Sequence, residues 1–128
     1  MDLTSALSVL VVEDDVDLSE ILEDVVSELG YKPIVAAGGK AALTVLASRH
    51  VDIIISDMNM PHMSGVDLLH AVRDRGYKIP FIIQSGSSSA ETYRELEALG
   101  LFDFLLKPAS FETIQAALSK AAAAVNKS

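Results

Sequence analysis

Side chains able to do chemistry gather at four places in this chain. Glu13, Asp14 and Asp15 stand together in VLVVEDD, Asp57 in IIISDMNMPHMSG, Ser85 in FIIQSGSSS and Lys107 in DFLLKP. Three or four carboxylates brought into one crevice repel one another unless they are protonated or share a cation. An oxygen-only donor set, without histidine or cysteine, suits Mg2+ better than zinc. The Ser85 hydroxyl and the Lys107 ammonium complete what is needed to hold a tetrahedral dianion beside a nucleophile. Taken singly, each group has a plainer reading. Acids collect at helix N-termini, where the dipole favours them, which accounts for Asp15 and Asp17 and in part for Glu13. Ser85 alone reads as a turn residue, and Lys107 alone as half of an ion pair. Asp57 fits that reading poorly, because it follows a buried strand and faces a second acidic cluster.

The elements that must position these groups are legible from periodicity. Short apolar runs at Leu7–Val12, Ile34–Ala37, Val51–Ile55, Phe81–Ile83 and Phe102–Leu106 lack strict alternation, and several are β-branched. That is the pattern of strands buried on both faces. Between them the period changes to that of helices. The first helix is expected to be capped by Asp17 with Glu20 three residues on, and stapled by Val16 and Ile21. Its core stripe is Leu18, Leu22, Val25, Val26 and Leu29, with Gly30 as its stop. A second helix runs from about Lys40 to Ser48, and a third follows Gly65 and carries Leu69 and Val72. A fourth is capped by Ser88 with Glu91 three residues on. The last starts at Ser110 and shows Phe111, Ile114, Leu118, Ala121 and Val125 at helical spacing. Five βα units predict an α/β fold, a five-stranded parallel sheet flanked by five helices. The strand order that fits is the flavodoxin-like 2-1-3-4-5, which puts a ligand crevice at the C-terminal ends of strands one and three.

The 128 residues are expected to form one domain, 1–128, with 121–128 as the end of the last helix and a tail. Half the residues are hydrophobic and the mean hydropathy is +0.35, enough for a real core. Ten Lys and Arg against eighteen Asp and Glu leave a net charge of −8. A negative surface disfavours nucleic acid and anionic lipid as direct partners. The absence of cysteine excludes disulfides, thiolate metal sites and a thiol nucleophile. The N-terminus lacks a signal-peptide pattern, and no apolar run nears the roughly 18 residues of a membrane span, so a cytoplasmic protein is expected.

In their order and register, these residues resemble the receiver domain of two-component response regulators, of which the single-domain chemotaxis regulator is the familiar small example. The likeness spans essentially the whole chain. It rests on the acidic pair after strand one, DMNMPHMSG after strand three, SG after strand four and KP after strand five. The resemblance implies Asp57 as phosphoacceptor. It implies Asp14 as a direct Mg2+ ligand, Glu13 as one acting through water, and Asn59 contributing its backbone carbonyl. Ser85 would bond a phosphoryl oxygen and Lys107 would pair with it, and Lys107-Pro108 matches the family's cis peptide. Met60-Pro61 and Gly65 match the turn leaving the site. The implied donor is a phosphohistidine on a sensor histidine kinase or phosphotransfer protein, and the implied output is a change of shape read by a downstream protein.

Phe104 occupies the family's aromatic switch position, where many relatives carry Tyr; a switch and a plain core residue are both open. Ile21 is the expected anchor for a docking partner, whereas Leu18 fits the buried stripe as well as docking. Phe102 suits either an output face or burial beneath the preceding loop. His62 reads as a solvated loop residue, and His50 and His70 show no ligand spacing. The winged-helix transcriptional branch of that family often carries an arginine- and acid-rich dimerisation pattern on the output face. The last helix here has no arginine and only Glu112, Lys120 and Lys127 as charges, so the resemblance implies a monomer or weak dimer. A stand-alone receiver, or one excised from a hybrid kinase or multidomain regulator, is therefore anticipated, not a turnover enzyme. A Mg2+-dependent small-molecule phosphohydrolase would want a second aspartate where Asn59 stands. Flavin binding is opposed by the acidic EDD, and cobalamin binding by the lack of an aspartate-x-histidine pair at Asp57.

Overall fold

The computed structural model describes residues 6–87 and 89–126. Strands β1 (Ser8–Val12), β2 (Lys32–Ala36), β3 (Ile53–Asp57), β4 (Phe81–Ser85) and β5 (Asp103–Leu106) alternate with the helices. These are α1 (Val16–Glu28), α2 (Gly39–Ser48), α3 (Gly65–Asp74), α4 (Ala90–Ala98) and α5 (Phe111–Asn126). The sheet is parallel throughout, in the order β2-β1-β3-β4-β5 that the alternation implied.

Successive strand residues face opposite sides of the sheet, so each apolar run fills two layers of core. Leu10, Ile54, Phe81 and Ile83 pack with Leu43, Leu68, Leu69 and Leu96 of α2, α3 and α4. Val9, Val11, Ile53, Ile55 and Ile82 pack with Leu22 and Val26 of α1 and Ile114 and Leu118 of α5. β3 and β4 each extend two residues beyond the apolar runs that marked them, to Asp57 and Ser85. The ladder is made by backbone, so it continues through the polar residues: Asp57 sits opposite Gln84, and Ser85 opposite Leu106. This brings the chemically active ends of β1, β3, β4 and β5 to one edge.

Three helix starts differ from expectation. α1 is capped by Asp15, whose carboxylate accepts the Leu18 N–H at 3.1 Å, so Asp17 lies in the first turn instead of capping it. The helix starts at Val16, so the cap falls on Asp15, two residues before the acid that the pattern marked. No staple forms, since Val16 and Ile21 are 69% and 60% exposed. α4 is capped by Ser89, which accepts the Thr92 N–H at 3.1 Å; Ser88 lies outside the described residues. α3 has a capping box that the pattern reading missed, Ser64 and Asp67 bonding reciprocally at 3.1 and 3.2 Å. Ser110 caps α5 through the Thr113 N–H at 3.1 Å. Gly30, at φ +94°, ends α1 in the left-handed region that favours glycine.

Candidate functional site

The site is built at the sheet's C-terminal edge. Glu13 leaves β1 with its N–H on the Ala36 carbonyl at 3.1 Å, which holds it in line with the strand. Asp57 ends β3 and is buried. Lys107 follows β5 directly, its N–H donating to the Ser85 carbonyl at 2.8 Å, and the Lys107-Pro108 peptide is cis. The Lys107 ammonium lies 2.8 Å from Asp57 Oδ1 and 3.3 Å from Glu13 Oε1. Carboxylate oxygens of Glu13, Asp14 and Asp57 all lie within 4.8 Å of one another, with Asp14 the exposed member. Sequence reasoning named Glu13, Asp14, Asp57 and Lys107, and the fold brings all four together.

The electrostatics follow from crowding. Burial pushes the Glu13 carboxyl above its ordinary value, and the neighbouring Asp57 adds to the rise. The Asp15 N–H, at 3.2 Å from Glu13 Oε2, and the Lys107 ammonium work against it without cancelling it. For Lys107, burial pulls the ammonium down, but the Asp57 hydrogen bond and charge and the Glu13 contacts outweigh this and raise it. Two of the three carboxylates, Glu13 and Asp57, thus share one ammonium, and Asp14 adds a third negative group beside them. The donor atoms are all hard oxygens, and the charge left over is negative. That chemistry fits a hard divalent cation such as Mg2+.

Ser85 is fully buried, and its hydroxyl is engaged with the β4–α4 loop, donating to the Ser87 carbonyl at 2.5 Å. Asn59 lies exposed in the loop after β3. Phe104 is half-buried against the cluster under α2–α4, edge-on to Tyr93 of α4 with ring centroids 6.1 Å apart. Phe102 is half-buried on the opposite face, against the cluster under α1 and α5. Leu18 departs from the buried stripe at 44% exposure, because the helix turns it toward a cavity beside the site instead of into the core. That cavity, about 440 Å³, is walled by Leu18, Ile21, Leu22 and Val25 of α1 and by Pro108, Ala109 and Ile114. Glu13, Gln84 and Lys107 also border it. His62 is exposed, while His50 and His70 pair with Asp52 and Glu95 away from the carboxylates.

Two contacts escaped the sequence reading. The fully buried Ser56 hydroxyl donates to the Asp57 carbonyl at 2.9 Å. Gly65 packs so closely on the same carbonyl that a Cβ there would stand 2.7 Å from it. A serine closing an isoleucine run was the one visible sign of the first contact.

A doubly wound parallel domain with carboxylates, a hydroxyl and a lysine on neighbouring strand ends belongs to the receiver class of α/β folds. The chain is a member of the response regulator receiver domain family, whose description it matches over residues 9–119. It is 34% identical over 117 residues to the transcriptional regulatory protein ZraR of Escherichia coli O157:H7, covering 91% of this chain and 26% of that protein. It is 32% identical over 121 residues to a probable chemotaxis protein CheY of Rhizobium etli, covering 92% and 94% respectively. The chain therefore spans about a quarter of ZraR, and nearly all of the chemotaxis protein. Among solved structures, the Vibrio cholerae chemotaxis protein CheY4 superposes with a TM-score of 0.86 at 30% identity, covering 91% of this chain and 99% of that one. The receiver domain of an HD domain-containing protein from Pseudomonas fluorescens Pf-5 gives 0.90 at 25% identity, covering 97% and 100%. No helix among the described residues is long and apolar enough to cross a membrane.

Proposed function

We propose that this chain is the phosphoacceptor of a two-component relay, taking a phosphoryl group on Asp57 from a phosphohistidine and signalling to a protein partner by changing shape. The observation that carries this reading is the Lys107 ammonium, 2.8 Å from Asp57 and 3.3 Å from Glu13, in a pocket of three carboxylates. A carboxylate and an anionic phosphoryl group repel, so attack requires fixed positive charge at the nucleophile. Lys107 supplies one such charge already in place. Asp14 and Asp57, with the Asn59 carbonyl and with Glu13 through water, are the groups that would hold Mg2+. Bound there, the ion would supply the charge that neutralises the phosphoryl oxygens. Asp57 forms a new O–P bond as the P–N bond to imidazole breaks, and the electron pair leaves with the ring. Water later hydrolyses the acyl phosphate. Asp57 is consumed as an acceptor and regenerated, so the chain acts as a regulator and not as a catalyst turning over an external substrate.

The switch begins at Ser85. To reach a phosphoryl oxygen its hydroxyl must leave the Ser87 carbonyl, which frees the β4–α4 loop. Phe104, edge-on to Tyr93, is the aromatic that would repack as that loop moves. On this reading the chain is cytoplasmic, and its donor is a sensor histidine kinase or phosphotransfer protein that docks over Ile21 and Leu18. Family members occur both alone and inside longer regulators, and this reading serves either setting.

Intact-mass measurement after incubation with acetyl phosphate, with and without Mg2+, tests the proposal. One added phosphoryl group, dependent on Mg2+ and absent in Asp57→Asn, is the expected result. Labelling that survives in Asp57→Asn refutes the assignment of the nucleophile.

A further inference from the structure

We infer that α1 selects a phosphodonor whose docking helix carries lysine or arginine around an apolar residue; this rests on the phosphoacceptor reading of Asp57. The first thirty-one residues hold nine of the chain's eighteen acids and none of its ten basic residues, Lys32 being the first. α1 itself contains Asp17, Glu20, Glu23, Asp24 and Glu28 and no cation. At helical spacing, Leu18, Ile21 and Val25 form one row along the cavity beside the site. Asp17, Asp24 and Glu28 fall on the adjoining outer row, flanking Ile21, and all three are exposed. Among the described residues none of them forms an ion pair with a cation.

The far wall of the cavity does not offset this charge. Lys107 is committed to Asp57 and Glu13, and the segment from Pro108 to Ser119 contains no basic residue. The arrangement also works against α1 itself. Asp24 and Glu28 are like charges at i and i+4, and Glu28 sits in a last turn without a base, where the dipole disfavours an acid. Stability of the isolated fold does not call for that distribution. A partner bringing cations to the rim would relieve it, while its apolar residue filled the cavity between Leu18, Ile21 and Ala109. An acid-rimmed donor would be repelled, so the row acts on partner choice and encounter rate.

The test uses one histidine phosphotransfer domain in two versions, with lysines or with glutamates ringing its phosphohistidine. Initial rates of transfer to this chain are read from low to high salt. The lysine version is expected to be faster by about tenfold at roughly 20 mM salt, the margin closing by about 500 mM as screening sets in. Asp24→Lys with Glu28→Lys should invert the preference and leave labelling by acetyl phosphate unchanged. Equal rates for the two carriers, or a preference that survives the charge reversal, overturns the inference. So does labelling by acetyl phosphate without transfer from either carrier. No labelling from any donor instead overturns the reading of Asp57 beneath it.

Discussion

Gly65→Ala separates the geometry of the acceptor from its chemistry, because the close contact is with Asp57's own backbone. Gly65 opens α3, and its N–H donates to the Met58 carbonyl at 2.7 Å. An added Cβ would stand 2.7 Å from the Asp57 carbonyl oxygen and 3.0 Å from Met58 Cα, where ordinary contact begins at 3.4 Å. The carbonyl must therefore retreat by about 0.7 Å, and it is not a flexible side-chain tip. The same oxygen accepts the buried Ser56 hydroxyl at 2.9 Å, so the peptide is held from both sides. Overpacking of this kind costs about 1–3 kcal/mol. Alanine's advantage over glycine in a helix returns about 0.5–1 kcal/mol. The difference is at most about 2.5 kcal/mol and centres on about 1 kcal/mol, which corresponds to a Tm lower by roughly 3–5 °C in a domain of this size.

The functional loss should be larger than stability alone implies. Misplacing reacting atoms by 1 Å costs on the order of 10²-fold, so a peptide shift of about 0.7 Å should slow labelling by acetyl phosphate about tenfold. Urea melts give the stability and intact mass over time gives the rate, both well below the melting temperature, where the variant is fully folded. A variant that loses stability but labels at the wild-type rate refutes the claim that this peptide sets the position of the Asp57 carboxylate.

Other perturbations address the charges and the docking face. Lys107→Ala should leave Mg2+ binding largely intact, because the oxygens remain, and should block phosphoryl-dependent changes in Tyr93 fluorescence; a collapse of metal affinity would contradict the role given to the lysine. Glu13 has a folded-state pKa raised above its ordinary 4.5, mainly by burial, so its contribution to stability is fully present below 4.5 and is lost as pH rises through the folded value. In metal-free melts, Glu13→Gln should therefore gain on wild type as pH rises from about 4.5 to 8, and saturating Mg2+ should narrow the gap; a gap independent of pH would refute that account. Ile21→Ala removes an exposed anchor and should slow transfer from a protein carrier several-fold while sparing acetyl phosphate. Equal slowing with both donors would point to a packing role.

The parallel sheet and its strand order were legible because five apolar runs, buried on both faces, admit few other arrangements. The four charged residues of the site were legible because each stands at a strand's end, where such folds expose ligands. What escaped depends on backbone more than on side-chain pattern. β3 and β4 reach Asp57 and Ser85 because hydrogen-bond ladders continue past the last isoleucine, and hydropathy does not register that. The cap of α1 was assigned to Asp17 because Glu20 three residues on completes a capping pattern, whereas the helix begins two residues earlier, at Val16, with Asp15 as its cap. Leu18 matched the inward stripe by spacing, yet it borders a cavity that exists only once the β5–α5 segment is in place. The grip of Ser56 and Gly65 on the Asp57 carbonyl involves residues 57 and 65, whose approach follows from the path of the loop between them.

These features share a physical cause. Three carboxylates around one ammonium leave an excess of negative charge that the fold does not neutralise, and burial holds Glu13 where its ionised form is disfavoured. α1, adjoining that pocket, adds five more acids and no cation. A chain selected only for stability would relieve both by substitution, since like charges at these spacings are unfavourable. The strain is tolerable because Val9–Val12, Ile53–Ile55 and Phe81–Ile83 are wholly buried, giving the edge a rigid apolar base. Positive charge, whether a divalent ion in the pocket or the basic rim of a donor on α1, must therefore stabilise the folded chain as it binds, and partner binding should raise Tm most at low ionic strength.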